Sequence, residues 1–420
     1  MYSPTITARR LDAAKRQGVP FSRLSREKSI TWSKELEQLR FSPRGEPLPH
    51  GSLARPLRAE EHSFIESERL ICKADFRYFL SRYYPVERDP GVSDSGESGI
   101  GPAQLLESQV RFIQALGKRE EITFEEWTKH RHTAGILVYA HKCRQVAFTA
   151  TARALTLHRL LFWPGTRAFA GTLEPDGCGE LYKRDKIALE NLPFWLKPSP
   201  DDIYPDVKDQ EIGLRSPFSS RLRFQPENQK TGIGVGTQID ISHLTEVPLW
   251  RYPGQINFSF VPALPKARTT LHIQEGTSAG RGGHWQEASE GCRQRRRGYE
   301  DWTYIFVPWY LNSRKWRAIA PSSWSPEQHT LAHADLIERT SPEWNSGITV
   351  RPGADQLYWW ETERARHQRN GELAAFLANF PATPEQSFVN WNQGALPMEL
   401  IEAMELDVRP PRAYEVSTAA

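Results

Sequence analysis

A short apolar run that leads through a basic loop into a long helical segment constrains the fold of this chain most. Residues 136–140 read ILVYA, a strand-like run bounded by polar residues. The following residues, HKCRQVAFTATARALTLHRLLFW, begin as a loop and continue with the pattern of a helix. A strand that turns sharply into a helix directs backbone N–H groups and the positive end of the helix into one concavity. The unit therefore favours the binding of a polyphosphate.

Further strand-like runs and helical segments alternate over more than 200 residues on both sides of this unit. Helices are predicted at 104–118 and around 183–192, and strands at 167–172, 221–225, 238–244, 269–275 and 301–310. Such alternation predicts an α/β fold with a mostly parallel sheet flanked by helices. In sheets of this kind, ligands bind at the C-terminal ends of the strands.

Charge and cysteine content exclude several classes of protein. The 54 Lys and Arg residues against 51 acidic residues give a net charge of +3, so bulk charge does not direct the chain to nucleic acid. Residues 1–50 nevertheless carry ten basic and five acidic residues, and residues 293–297 read RQRRR. Both patterns are also typical of a solvated tail and a solvated loop. The four cysteines show no C-x-x-C spacing, so neither a zinc site nor a disulfide framework is indicated.

No apolar run approaches the ~20 residues that a membrane-spanning helix needs, and the first 30 residues lack the apolar core of a signal peptide. We therefore expect a cytosolic chain with no membrane partner. Composition divides it into a basic, flexible or weakly helical arm at 1–66, a helical segment and linker at 67–100, a main domain at 101–355 and a small C-terminal subdomain at 356–420. The linker itself is the Gly-, Ser- and Asp-rich stretch at 89–102.

The loop at residues 142–149, KCRQVAFT, departs from the standard G-x-x-x-x-G-K-[ST] phosphate-binding loop. Ala147 stands at the position of the closing Gly, and Phe148 at that of the Lys. The loop resembles the deviant Walker A loop of viral terminase large subunits, K-x-R-Q-x-G-x-[ST]-T, the ATPases that pump phage DNA into proheads. The positions that match are Lys142, Arg144, Gln145 and Thr149. Ala147 departs from the family's Gly, and its methyl group disfavours a left-handed backbone.

This resemblance implies an ATP site with Mg²⁺. Lys142 and the N–H groups of the loop would hold the β- and γ-phosphates, Arg144 would contact the γ-phosphate, and Thr149 would bind Mg²⁺. Gln109, in the segment ESQVRFIQAL, matches a Gln that reads the adenine in the family. The complete set of implied ATP-binding residues is Gln109, Lys142, Arg144, Gln145, Val146, Ala147, Phe148 and Thr149.

Two later segments resemble further motifs of the family, in the family's order. HLTEVPLW, residues 243–250, resembles the Walker B segment, which implies that Glu246 polarises the attacking water. Thr245 stands where other P-loop ATPases carry the Mg²⁺-binding Asp, so any metal contact there would run through a hydroxyl group or through water. HIQEGTSAG, residues 272–280, resembles the E-S-T-x-x-G coupling motif, whose Thr277 would sense the γ-phosphate. An exposed Glu and an ordinary turn would explain these two segments if each stood alone.

Flanking segments at 75–89, 301–311 and 376–389 also resemble the family, so the resemblance covers roughly residues 70–390. It implies an ASCE-type P-loop ATPase core with a helical N-terminal arm and a small C-terminal lid. Terminase large subunits generally continue into a nuclease of RNase H type. Only 32 residues follow Phe388, so we expect no nuclease activity from this chain. The nuclease would then be encoded separately, lost, or missing from an incomplete reading frame.

The function that the resemblance implies is an ATP-driven translocase that moves double-stranded DNA into a prohead. Its implied partners are DNA, the portal protein, the small terminase subunit and further copies of itself in a ring. We expect it in the host cytoplasm, transiently docked on the portal, and not in the mature virion. DNA contact is expected at the basic arm and at Arg293, Arg295, Arg296 and Arg297. An arginine from a neighbouring subunit would complete the ATP site, with Arg215, Arg221 and Arg223 as candidates.

A second interpretation remains open, because Ala147, Phe148 and Thr245 each replace a residue that ordinary P-loop enzymes use. The chain would then be a catalytically weak, P-loop-like subunit that binds DNA or serves assembly. DNA-stimulated ATP hydrolysis would separate the two interpretations. A helicase is disfavoured, since no run of helicase motifs follows the coupling segment.

Overall fold

The structure is a computed structural model whose chain divides into two compact units. The first comprises residues 1–278 and 282–307, and the second residues 279–281 and 308–420. The described residues are 26–49, 51–88, 99–102, 105–106, 108–110, 112–113, 135–204, 210–227, 238–265, 267, 270–345 and 347–389. No helix among these described residues is long and apolar enough to cross a lipid bilayer.

The described strands form two sheets in the first unit. β1 (Pro85–Arg88) and β2 (Gly99–Pro102) make an antiparallel pair. The strands of the larger sheet are β3 (Ile136–Lys142), β4 (Arg167–Thr172), β5 (Glu211–Gly213), β6 (Arg221–Pro226), β7 (Ile241–Thr245), β8 (Leu271–Gly276) and β9 (Trp302–Val307). Residues 99–102, the end of the predicted linker, are thus strand β2, because they pair with β1. Residues 89–98 of that linker lie outside the described residues.

The larger sheet has the strand order β5-β6-β4-β7-β8-β3-β9. All neighbouring strands are parallel except β5, which pairs antiparallel with β6. Every residue of β7 and β8 is buried, as expected for central strands covered on both faces. The predicted α/β fold with a mostly parallel sheet flanked by helices is confirmed. Since β8 lies between β3 and β7, the C-terminal ends of these three strands meet at one edge.

Helices in the described part of the chain precede the sheet, at α1 (Arg26–Gln38), α2 (Ala59–Ala74) and α3 (Phe76–Arg82). The ring of Trp32 lies 5.1 Å from that of Phe64, which lies 6.0 Å from that of Trp195. Residues 26–38 and 59–66 are thus helical, which agrees with the helical alternative for the arm rather than with the flexible one. A few widely spaced aromatic side chains anchor these helices, and their spacing gives no sustained apolar period. Residues 1–25 lie outside the described part of the chain.

Longer helices cover the sheet. α4 (Phe148–Phe162) follows β3 and packs against β4 and β7, while α5 (Pro175–Glu190) follows β4 and packs against β4 and β6. α6 (His284–Gln294) precedes β9 and packs against β3 and β9. Their apolar faces bury the sheet, so the strand ends are the part of it that is left for a ligand.

The second unit contains α7 (Gln328–Trp344), α8 (Ala354–Arg369), α9 (Leu373–Asn379) and α10 (Pro384–Ser387). Its core is aromatic: the rings of His333 and Trp360 stack at 3.9 Å, and the ring of Trp309 lies 6.0 Å from that of His333. The long segment of this unit begins at residue 308, whereas the sequence predicts a subdomain that begins at residue 356. Residue 355 lies inside α8, and Trp309 packs with the helices that follow it.

Candidate nucleotide-binding site

The loop between β3 and α4 is shaped by two residues with a left-handed backbone. Gln145 and Ala147 both have φ of 54°. Arg144 and Gln145 are exposed at the tip of the loop, whereas Val146 is buried. Left-handed residues within a turn direct successive N–H groups towards one side, which forms an anion-binding concavity. Residues 144–149 therefore form a turn of the kind that can bind an anion, and their contact with phosphate stays a prediction.

Ala147 has a left-handed backbone, a conformation that is unfavourable for a residue that carries a Cβ. With φ 54° and ψ 21°, it precedes the first residue of α4. A left-handed backbone costs a residue with a Cβ roughly 1–2 kcal/mol. Phe148, at the usual Lys position, is buried, and its ring lies 4.3 Å from that of Phe112. Ala147 and Phe148 can therefore offer a phosphate only their backbone groups.

Ser108 and Gln109, which precede the loop in the chain, stabilise it through hydrogen bonds. Ser108 Oγ donates a hydrogen bond to the carbonyl of Val146 at 2.9 Å. Gln109 Nε2 donates to Thr151 Oγ1 at 2.8 Å, and Thr151 Oγ1 donates to the carbonyl of Ala147 at 3.0 Å. The side chain of Gln109 is buried among these partners. Its predicted contact with adenine stays a prediction, and its visible role is to hold the loop.

Lys142, the last residue of β3, pairs with a buried carboxylate on the neighbouring strand. Its Nζ lies 3.1 Å from Glu275 Oε2, with the Lys side chain 13% exposed and the Glu side chain fully buried. The ammonium group therefore lies at the base of the phosphate-binding loop, held by β8. Lys142 carries the charge that an ordinary P-loop places at the position of Phe148.

Glu275 also gathers two hydroxyl groups. Its Oε1 accepts hydrogen bonds from Thr149 Oγ1 at 2.6 Å and from Thr245 Oγ1 at 2.5 Å. Carboxylate and hydroxyl oxygens are the hard donors that Mg²⁺ takes in proteins. Thr149 and Thr245, which the sequence predicts as metal-binding residues, are thus brought together by a carboxylate that the prediction omits.

The charge state of this cluster follows from its neighbours. Burial raises the pKa of the Glu275 carboxyl, but Lys142, His243 and the Thr149 hydroxyl more than offset burial, so the pKa lies below its usual value. His243 Nε2 lies 3.4 Å from Glu275 Oε1, and burial lowers the pKa of His243. The cluster therefore holds an ionised Glu275 beside a neutral His243 at neutral pH.

Glu246 lies just beyond the end of β7, on the same edge of the sheet. It is exposed, and its φ of 56° and ψ of 30° place it in a sharp turn before a short 3-10 helix, Val247–Leu249. Trp250 Nε1 donates to the carbonyl of Thr245 at 3.1 Å and closes this turn. The carboxylate of Glu246 is thus open to water at the edge where Lys142 and Thr149 lie.

The predicted coupling segment, residues 272–280, comprises all but the first residue of β8 and the four residues that follow the strand. Thr277 is partly exposed and follows Gly276. A Cβ built on Gly276 would lie 2.1 Å from Cδ of Pro248. Only Gly permits this approach, which explains why Gly276 occupies the Ser position of the E-S-T pattern. The end of β8 therefore lies directly against the turn that carries Glu246.

The basic loop lies at the other end of the strands. Arg293 is in the last turn of α6, and Arg295, Arg296 and Arg297 are exposed. This loop leads into the first residue of β9, and β9 runs parallel to β3. It therefore lies at the N-terminal edge of the sheet, opposite Lys142. Arg296 Nη2 lies 3.4 Å from Glu290 Oε2 on α6, which ties the loop to its helix by a surface ion pair.

Comparison with known proteins gives matches only among solved structures. No protein-family profile and no curated protein sequence matches the chain. The large terminase of bacteriophage HK97 matches at 12% identity and a TM-score of 0.43, over 72% of this chain and 53% of that one. The large terminase ATPase domain of Thermus phage P74-26 matches at 13% identity and 0.39, over 68% and 100% of the two chains.

A mutant of that Thermus phage domain matches at 14% identity and a TM-score of 0.33, over 42% of this chain and 76% of that one. All three are phage large terminases. This is also the family that the sequence motifs resemble. The present chain spans about half the length of the HK97 protein.

Glu275 is the residue that the sequence interpretation missed. It stands inside the coupling segment HIQEGTSAG, in which the motif directs attention to Thr277 instead. The available signal was that Thr245 stands where other P-loop ATPases carry an acid, while Glu275 is an acid near the end of a buried strand beside β3.

Proposed function

We propose that this chain is the ATPase of a phage DNA-packaging motor, which hydrolyses ATP to move double-stranded DNA. The observation that carries the proposal is the convergence of Lys142 and Thr149 around Glu275, at the mouth of a loop with two left-handed residues. A cation, a hydroxyl group and directed N–H groups at the start of a helix are the parts that bind a nucleotide's phosphates.

In the proposed binding step, the ammonium group of Lys142 and the N–H groups of residues 144–149 hold the β- and γ-phosphates. Arg144, exposed at the loop tip, reaches the γ-phosphate. The hydroxyl of Thr149 faces the metal position. Mg²⁺, when bound with the nucleotide, neutralises charge on the β- and γ-phosphate oxygens.

In the proposed chemical step, Glu246 orients and polarises the attacking water. Its exposure keeps the carboxylate available to water, and the sharp turn at φ 56° fixes where it stands relative to β7. The close approach of Gly276 to Pro248 supports a coupling path, since the segment carrying Thr277 packs there against the turn that follows Glu246.

The proposal extends to DNA and to partner proteins. Arg295, Arg296 and Arg297 are exposed and contact DNA phosphates without reading sequence. The arm at residues 1–25 provides further basic contacts. The portal protein, a small terminase subunit and further copies of the chain in a ring complete the motor, which works in the host cytoplasm at the portal.

ATP hydrolysis by the purified full-length chain, with and without duplex DNA, tests the proposal. We expect hydrolysis that duplex DNA stimulates and that Lys142→Ala abolishes by weakening nucleotide binding, since a charge-assisted hydrogen bond to phosphate is removed. Lys183→Ala, which removes an exposed lysine on α5, is the matched control. DNA binding without hydrolysis by the unaltered chain would favour the alternative of an assembly subunit.

A further inference from the structure

The position of Thr245 leaves the metal site of this chain short of a carboxylate. P-loop ATPases hold Mg²⁺ between the hydroxyl of the loop Ser or Thr and an acid at the end of the Walker B strand. Here the loop hydroxyl is Thr149, but the strand β7 ends in Thr245, whose side chain is neutral.

The neighbouring strand supplies an acid at the same level. Thr245 and Glu275 are directly paired in the parallel register of β7 and β8. Glu275 Oε1 accepts hydrogen bonds from Thr149 and from Thr245 at 2.6 and 2.5 Å. The carboxylate thus lies beside the loop hydroxyl, reached from β8 by a side chain one methylene longer than Asp.

We propose that Glu275 supplies the carboxylate of the Mg²⁺ site, in place of the acid that Thr245 replaces. The inference rests on the proposed nucleotide site. Thr245 is then a positioning residue, because its hydroxyl group orients Glu275 Oε1 towards Thr149. Glu275 acts on the metal directly or through a water molecule in its hydration shell, as carboxylates at Mg²⁺ do.

Charge balance supports this role over that of a purely structural ion pair. The desolvation of a buried carboxylate offsets much of what an ion pair contributes, and apolar residues of similar volume often replace such a pair without loss of stability. The hydrogen bonds from Thr149 and Thr245 reach only Oε1 of Glu275. In the described part of the chain, Glu275 Oε2 accepts no hydrogen bond and has Lys142 Nζ at 3.1 Å as its charged neighbour. When phosphate groups pair with Lys142, the negative charge of Glu275 is less well compensated. Mg²⁺ would then supply the cation beside Glu275.

The test compares the affinity for ATP in Mg²⁺ with the affinity in EDTA, using a fluorescent, non-hydrolysable ATP analogue. In the unaltered chain we expect Mg²⁺ to strengthen binding. In Glu275→Gln we expect this strengthening to fall by ~10-fold or more, with binding in EDTA retained. Glu180→Gln, an exposed acid on α5, should keep the full Mg²⁺ effect.

A rescue variant separates a lost ligand from a damaged site. Thr245→Asp combined with Glu275→Gln returns a carboxylate to the end of β7, and we expect it to recover the Mg²⁺ effect and to keep a partner for Lys142. Full Mg²⁺ strengthening in a folded Glu275→Gln chain would overturn the inference. So would a folded double variant that binds the analogue equally in Mg²⁺ and EDTA.

A measurement on the unaltered chain covers the case in which the variants fail to fold. Fe²⁺ replaces Mg²⁺, and ascorbate with peroxide then cuts the backbone beside the metal. We expect an analogue-dependent cut at residues 274–276 in addition to one near residue 149, and cutting near 149 without one at 274–276 would refute the role of Glu275. If the unaltered chain binds no analogue in Mg²⁺ or in EDTA, the proposed function itself fails, which is a different result.

Discussion

Gly276, the last residue of β8, lies against Pro248, in the turn after Glu246, so closely that a Cβ on Gly276 would stand 2.1 Å from Pro248 Cδ. The acid proposed to activate water and the segment proposed to sense the γ-phosphate are therefore in mechanical contact through these two residues. Packed elements of this kind shift together, because a close-packed contact has little room to deform.

Gly276→Ala tests this contact. The added methyl group meets the Pro248 ring, so either β8 or the turn must shift, and we expect the free energy of unfolding to fall by about 1–3 kcal/mol. Urea titration measures it. Gly179→Ala is the matched control, since nothing lies within 4 Å of its Cβ position and α5 favours Ala. Equal stability of Gly276→Ala and the unaltered chain would show that the contact yields freely.

Ala147→Gly relieves a left-handed residue at the start of α4. The left-handed cost of roughly 1–2 kcal/mol is removed, while the greater freedom of Gly in the unfolded chain returns roughly 0.5–1 kcal/mol of it. We expect slightly higher stability and unchanged or tighter nucleotide binding. Ala147→Val, with a β-branched side chain, should lower both. Isothermal titration calorimetry measures the nucleotide affinity of both variants, and urea titration measures their stability. A lower stability of Ala147→Gly than of the unaltered chain would contradict the left-handed conformation of Ala147.

Glu246→Gln should separate binding from turnover. The exposed carboxylate makes no hydrogen bond within the described part of the chain, so its loss should leave stability and ATP binding as they are. Removal of a group that activates water should lower turnover by ~10²-fold or more. Steady-state hydrolysis and equilibrium binding are measured on the same preparation. Retained turnover would remove Glu246 from the mechanism.

Lys142→Met should reverse the direction in which the ionisation of Glu275 changes the stability of the chain with pH. In the unaltered chain the pKa of Glu275 is lowered on folding, so its contribution is present above the unfolded pKa of about 4.3 and is lost as pH falls. Without the ammonium group, burial dominates and raises that pKa, so the contribution is lost as pH rises instead. A tenfold change in the acid dissociation constant of Glu275 corresponds to about 1.4 kcal/mol of folding free energy.

Urea titrations of both chains at several pH values between 4 and 7 measure this effect. The difference in unfolding free energy between the unaltered chain and Lys142→Met should widen as pH rises. Lys183→Met, in which an exposed ion pair is removed, should show a constant and small difference. A difference independent of pH in Lys142→Met would show that Glu275 does not depend on Lys142 for its ionisation.

The sequence predicts the fold and several residues of the candidate site, for identifiable physical reasons. The run at 136–140 predicts β3 because a fully buried parallel strand needs continuous apolar residues. The position of Lys142 followed from a motif. Glu275 is the Glu of the E-S-T-x-x-G resemblance, but its contacts with Lys142 and Thr149 did not follow from that motif. They depend on β8 lying between β3 and β7, and strand order cannot be derived from local pattern. The anchoring of α1 by Trp32 and Phe64 was missed for the same reason, since these residues lie 32 positions apart.

The last prediction concerns the basic loop, which lies at the opposite end of the strands from Lys142. Replacing Arg295, Arg296 and Arg297 together by Ala removes three exposed charges at the N-terminal edge of the sheet. If all three bind phosphates, the slope of log affinity for duplex DNA against log salt should become less negative by about 0.9 for each phosphate that is no longer bound. Nucleotide affinity should be unchanged, because Lys142 lies at the opposite edge of the sheet. Fluorescence anisotropy with a short duplex, over a series of salt concentrations, gives the slope. An unchanged slope would place DNA binding elsewhere, with residues 1–25 as the next region to delete.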